Sequence, residues 1–340
     1  MKFVIAILIF FFNSFKKKKK LSYESIGNAY LVYESNFDKN IFDYCSYIRD
    51  ELLKELPNIS RRSIFFLRVH PPILFRLVAP CYSIYVQVEH TLVKPGGRDS
   101  TGFEAGTLLI PGAPSSTPYL ARLTNYEVMK KFDFIIEYSR INLVNIQSTT
   151  KYSELQDKLL YLSPALFKFN DAPNDAKRRN FITITNFGNS EEPRRKIFLE
   201  TLRAKKIPIQ NIHTWYLDVE ELYVRTRILV NIRQTDHHDT LEELRVLPAL
   251  RSGVIVISEL APYKELTRYS EFIIWGTLDE LPEIIRNVQD NYEATWNSIF
   301  GTSKFSRRMN RLERCNQLTL AQWSKKINQR LTSSRSIQWK

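Results

Sequence analysis

The chain has 340 residues, 44% of them apolar and 13% aromatic, and carries a formal net charge of +13. This composition excludes a disordered chain and leaves room for two domains, each with its own core. The charge sits at the ends, +5 from Lys16 to Lys20 and a net +9 from Lys304 to Lys340. A near-neutral body with no zinc-ligand spacing, no RNP-type motif and no basic stripe argues against nucleic acid as a partner.

Basic ends fit attachment to an anionic membrane surface, and they fit solvated tails equally well. Cys45, Cys81 and Cys315 are few, far apart and odd in number, which argues against a disulfide framework and for a reducing compartment. Phe3 to Phe12 is a run of ten apolar residues, too short to span a bilayer and similar in length to a signal-peptide core. The five lysines follow that run, which by the positive-inside tendency keeps the body cytoplasmic, if need be peripheral on a membrane. The preferred reading is a buried first strand opening an α/β domain.

In chain order, "SIFFLRV" and "YSIYVQVEH" predict strands. The stretch "HTLVKPGGRDSTGFEAGTLLIPGAPSSTP" predicts a loop, with Gly and Pro at most of its turns. "TNYEVMKKF" predicts a helix capped by Thr124, with Glu127 as the capping-box partner. "DFIIEYS" and "KLLYLSPAL" predict strands, and "KFNDAPNDAKRRN" an interdomain linker. In the second half, "FITITNFGN" predicts a strand and "EEPRRKIFLETLRAKKI" a helix. "RILVNI" then predicts a strand, followed by a polar loop with Asp239 or Thr240 as helix cap. "EELRVLPALRS" closes that helix at Gly253, and "GVIVISE" and "EFIIW" predict further strands. "TLDELPEIIRNVQDNYEATWNSIF" continues as helix behind Thr277. Strands alternating with helices predict parallel βαβ units in two halves.

Ligands of open parallel sheets bind beyond the carboxyl ends of the strands. That rule selects Gly188 and Asn189 with Arg194 and Arg195, the loop from Arg233 to Glu243, Glu89 and His90, and Tyr138 to Asn142. Arginines at a helix start grip phosphate oxygens in a fork. His90 has a side chain of near-neutral pKa, suited to general-base work on an acceptor hydroxyl, and a strand-end histidine that only hydrogen-bonds locally is the commoner case. Asp236, His237, His238 and Asp239 are metal-ligand types, but adjacent residues rarely turn both side chains to one ion and nothing nearby completes a shell. No metal is assigned.

Along "GN…PRR…LYVRTRILVNIRQTD…EELRVLPALRSGVIVISE" the chain resembles the nucleotide-sugar-binding domain of GT-B glycosyltransferases. It is similar in particular to the group-1 type and its spore-protein-like relatives, whose pattern is a strand, then "R…EA…G", then an apolar strand. Arg245, Ala249, Leu250 and Gly253 fall on that pattern, and "YSEFIIWGTLDELPEII" resembles exostosin-type transferases. The resemblance spans about residues 180–290.

It implies two doubly wound, Rossmann-like α/β domains with parallel sheets facing a cleft. Residues 1–167 would form an acceptor-side domain and 168–180 the linker. Residues 181–300 would bind the nucleotide sugar, and 301–340 would form a basic helical segment crossing back. The implied activity is transfer of a sugar from a nucleotide-diphosphate-sugar donor to the hydroxyl of a glycan, lipid or protein-linked sugar. No metal or other cofactor is implied. Gly188, Asn189, Arg194, Arg195, Arg233, Thr240, Glu242, Glu243 and Arg245 would face the donor. Glu89 and His90 would be catalytic, and Tyr138, Ser139 and Asn142 would lie on the acceptor side. Many group-1 enzymes carry two glutamates separated by seven residues. Aligned on Gly253, those positions hold Thr240 and Pro248, so Glu242 or Glu243 would have to stand in. That departure motivates the alternative of a non-catalytic binding or scaffolding module on the same fold.

Overall fold

The computed structural model describes residues 1–15, 20–35, 42–97, 104–108, 118–164, 181–212, 219–237 and 239–333. It opens with helix α1 (Lys2–Phe15), the hairpin β1 (Leu21–Ile26) and β2 (Ala29–Glu34), and α2 (Phe42–Glu55). Then come β3 (Ser63–Leu67), the short α3 (Ile73–Arg76), β4 (Cys81–Gln87), β5 (Leu92–Val93), β6 (Glu104–Leu108) and β7 (Tyr119–Arg122). The first half closes with α4 (Tyr126–Met129), β8 (Phe134–Glu137), α5 (Arg140–Gln147) and β9 (Leu159–Tyr161).

The six-stranded sheet has the order β1-β2-β3-β4-β8-β9 and is parallel except for its edge hairpin. Alternation along its strands splits the core in two. Leu31, Phe65, Leu67, Ile84, Val86, Phe134 and Ile136 face α2. Tyr30, Val32, Ile64 and Phe66 face the other way, toward Ile5, Ile9 and Phe75 of α1 and α3. This is the period-2 burial of a sheet covered on both faces.

The second half holds β10 (Phe181–Thr185), α6 (Pro193–Ala204), β11 (Gln210–Asn211), α7 (Val219–Val224), β12 (Thr226–Asn231) and α8 (Glu243–Arg251). It continues with β13 (Ile255–Glu259), β14 (Ile273–Gly276), α9 (Leu281–Asp290), α10 (Tyr292–Phe300) and the long α11 (Ser303–Ser333). Its five-stranded sheet, ordered β11-β10-β12-β13-β14, is parallel throughout. Every residue of β13 is buried, as a central parallel strand requires. Gly253 sits at φ 72°, and the Val254 amide donates back to the Ala249 carbonyl, the Schellman closure of α8. Helix α11 joins the two cores. Phe305, Met309 and Leu312 pack in the second, and Leu320, Trp323, Ile327 and Leu331 in the first.

Several expectations need correcting. Residues 3–12 form a helix, not the first strand. A continuous apolar run carries no period to separate the two, and Ile5 and Ile9, one helical turn apart, are what pack on the sheet. The stretch predicted as a loop supplies β5 and β6, which pair with β7 just beyond it in an antiparallel sheet, and Leu92, Ala105, Leu108, Tyr119 and Ala121 pack there with Tyr126, Met129 and Ile135. Thr124, Asp239 and Thr240 do not cap helices, whereas Thr277 opens the turn into α9: its carbonyl accepts from the Leu281 amide and its own amide donates to Glu280 Oε2 at 2.8 Å. The positions before α4, α9 and α8 are Asn125, Glu280 and Glu242, none with a side-chain cap bond. The predicted linker and His238 lie outside the described residues.

Candidate functional site

Strand β4 ends at Gln87 and feeds Glu89 and His90. Strand β12 ends at Asn231 and feeds the loop that starts α8 at Glu242. The two ends meet. His90 Nε2 lies 3.0 Å from Glu242 Oε1, and the Tyr138 hydroxyl lies 3.3 Å from His90 Nδ1. The pair therefore joins a residue of the first sheet's edge to one of the second's. Burial opposes the charge on both partners. For His90 the Glu242 carboxylate outweighs that cost and raises its pKa. For Glu242, His90 together with Arg245 and Arg195 holds the carboxyl well below the usual range. Glu89 is exposed; its amide donates to Gln87 Oε1 at 3.4 Å and its carbonyl accepts from Asn142 Nδ2 at 3.0 Å.

The arginines of the second half fall into two unlike groups. Arg194 lies 2.7 Å from both Glu259 and Asp236, and Arg233 pairs with Glu259 and Asp239. Lys94 reaches Asp239 at 3.0 Å, and the Tyr119 hydroxyl donates to the same carboxylate. Three cations thus face three carboxylates. Arg194 and Arg233, expected on a donor diphosphate, are already neutralised. Sequence reading had placed no role on Glu259, Lys94 or Tyr119, because their partners lie far away in sequence and only the docking of the halves unites them. In the same contact the His237 ring lies where a Cβ on Gly97 would sit, and the His237 carbonyl accepts from the Lys94 amide at 3.0 Å.

Arg195 and Arg245 form the other group. Arg195 is 3% exposed, lies 4.6 Å over the Phe187 ring, and donates to the Asn189 carbonyl at 3.4 Å. Its Nε has no acceptor among the described residues. Burial, and then Arg245 nearby, push its pKa down to about 10. Arg245 donates to Asn231 Oδ1 at 2.8 Å. Both guanidiniums act on the Glu242 carboxylate, and Arg195 feels Glu192 as well. Gly188 and Asn189 are exposed beside it, at the carboxyl end of β10.

The residues expected on the acceptor side are mostly supports. Ser139 caps α5 by accepting from the Asn142 amide at 3.5 Å. Asn142 accepts from Thr91 and donates to Glu89 and Glu137, so its amide is used up inside the loop. Tyr138 is buried and reaches the site through its hydroxyl. Glu243, next to Glu242, turns inward and accepts from the Tyr269 hydroxyl at 2.9 Å. Burial pushes its pKa up to about 7. Thr240 is buried as well, its hydroxyl without a partner among the described residues.

Two Rossmann-like parallel sheets meeting at their carboxyl edges, with a last helix seated in both cores, give the chain a two-domain α/β architecture of the GT-B type. No family model matches the chain. An uncharacterized protein of Acanthamoeba polyphaga mimivirus is 28% identical over 118 residues, 34% of this chain and 42% of that protein. Among solved structures, TarM superposes with a TM-score of 0.46 at 9% identity, covering 91% of this chain and 63% of TarM. Anabaena Alr3699/HepE, solved in complex with UDP and glucose, gives a TM-score of 0.44 at 10% identity, with 86% and 81% covered. The chain thus spans less than two thirds of both the mimivirus protein and TarM.

Proposed function

We propose that the protein transfers a sugar from a nucleotide-diphosphate-sugar donor to a hydroxyl acceptor on a glycan or lipid, at the junction of the two sheets. The observation that carries this reading is the Arg195–Arg245 corner. There, a buried guanidinium with an unmatched donor lies beside the Glu242–His90 pair. An anion is what that corner lacks. The diphosphate would sit on Arg195, Arg245 and the Gly188–Asn189 backbone. The charge that develops on the leaving diphosphate would be met by the two guanidiniums, the largest kind of catalytic term such a site offers. This assigns to the chain's own residues the role a metal ion would otherwise play.

Glu242, not Glu243, would be the carboxylate available to the donor or to the orientation of His90. His90, in its neutral form, would take the acceptor proton as the acceptor oxygen bonds to the anomeric carbon and the bond to the diphosphate breaks. A second reading, a non-catalytic module on the same fold, draws on Pro248. It stands buried inside α8 where the second family glutamate would fall.

The test is a thermal-shift screen with UDP-, GDP- and ADP-sugars. A ligand at one hundred times its Kd stabilises by about 2.7 kcal/mol. One base should shift the protein, and Arg245→Ala should abolish the shift while Arg194→Ala spares most of it. No shift with any donor would overturn the transferase reading. Binding with no turnover would favour the module.

A further inference from the structure

Helix α1 is apolar around nearly its whole circumference, yet the fold covers only one side of it. Ile5 and Ile9 are buried against the first sheet. Phe3 is 76% exposed and Phe10 69%, and Val4, Ile7 and Phe11 face outward with them. Helix α3 packs beside α1, where Phe75 joins the same core. Its neighbours Ile73 and Leu77 stand 78% and 80% exposed, with Leu74 between them. Scattered exposed apolar residues need no explanation, but a contiguous patch with this many large side chains marks an interaction surface.

The charges on the two helices themselves have one sign. Neither helix contains an acidic residue. Lys2, Lys20 and Arg76 are exposed, and in sequence α1 runs directly into Lys16 to Lys20. Apolar rings flanked by cations match the chemistry of an anionic lipid surface, where rings enter the acyl boundary and cations meet the headgroups. No helix among the described residues is long and apolar enough to cross a membrane. With one side held on the sheet through Ile5 and Ile9, α1 is placed to lie along a bilayer.

We propose that α1 and α3 together form a docking face for an anionic phospholipid bilayer. The patch lies on the face of the first sheet opposite α2, so docking leaves the junction with the second half uncovered by lipid. Membrane binding and donor binding are separate readouts, and either can fail alone.

Co-sedimentation of the full chain with vesicles tests it. Vesicles of phosphatidylcholine are compared with vesicles of phosphatidylcholine mixed with phosphatidylserine. Two variants are carried in parallel, Phe10→Ser with Phe11→Ser, and Leu74→Ser with Leu77→Ser. All four positions are exposed, and melting temperatures report whether each variant folds; should one pair fail, the other, on a separate helix, decides. Expected is binding to the anionic vesicles about tenfold or more tighter than to neutral ones, weakened by a similar factor in each folded pair. Equal binding to both vesicle types, or binding unchanged by the substitutions, would overturn the proposal. So would absence of vesicle binding together with a concentration-dependent dimer that the same substitutions dissociate, since a second copy would then be the occupant.

Discussion

Glu242 and Glu243 are neighbours in sequence with opposite electrostatic fates. Glu242 faces His90, Arg195 and Arg245 and stays ionised. Glu243 faces Tyr269 and the Ser139 turn, and burial pushes its pKa up to about 7. A raised carboxyl pKa means that the native state keeps its proton where the unfolded chain has released it. The native state therefore loses stability as pH rises from about 4.5 to about 7, and the loss levels off above that. The size is on the order of 3 kcal/mol. Glu243→Gln should flatten that part of the pH profile in denaturant melts, and an unchanged slope would remove Glu243 as its source. The His90 pKa runs the other way. NMR titration should place it above the ordinary histidine value, because Glu242 outweighs burial. In Glu242→Gln burial and Arg245 are opposed by Glu89 alone, and the pKa should fall. A value that did not move would mean that the 3.0 Å pair is absent in solution.

Elements differ in how much of themselves they show in sequence. Strand β13 and the end of α8 were fully legible, because a short run of β-branched residues after a Gly has few other solutions. The cost of that Gly is testable. At φ 72°, Gly253→Ala should destabilise by about 1–2 kcal/mol in chemical denaturation. Helix α1 was not legible, since an unbroken apolar run has neither period. The sheet β5-β7-β6 hid behind glycines and prolines that do mark turns, but turns between strands. Cap assignment failed at Asp239 for a long-range reason. A side chain that suits a helix start is taken elsewhere when a long-range partner competes, as Lys94, Arg233 and Tyr119 do for Asp239. The candidate site followed the same division. The loops carrying it were legible from the rule on strand ends. Which arginines remained available was not, because Glu259 and Asp236 neutralise Arg194 only once the second sheet has formed.

At the scale of the whole molecule, the halves are tied by α11 and by charge. Asp239 is the central group of the ionic tie. It is 2% exposed and gathers Arg233 from its own half with Lys94 and Tyr119 from the other. Replacing it with a neutral amide leaves the part-buried Arg233 and Lys94 facing too few carboxylates. Breaking a fully buried pair costs about 3–5 kcal/mol, and the partial exposure of Lys94 and Arg233 reduces that here. Asp239→Asn should therefore lower stability by about 1–3 kcal/mol and raise the radius of gyration in solution scattering, as the junction loosens around its unpaired cations. Lys94→Met added to it should restore much of the loss, because the double variant removes one charge of each sign. If the double variant is no better than the single, then Lys94 does not sense Asp239, and the contact between Gly97 and His237, not the charges, sets how the two sheets face each other.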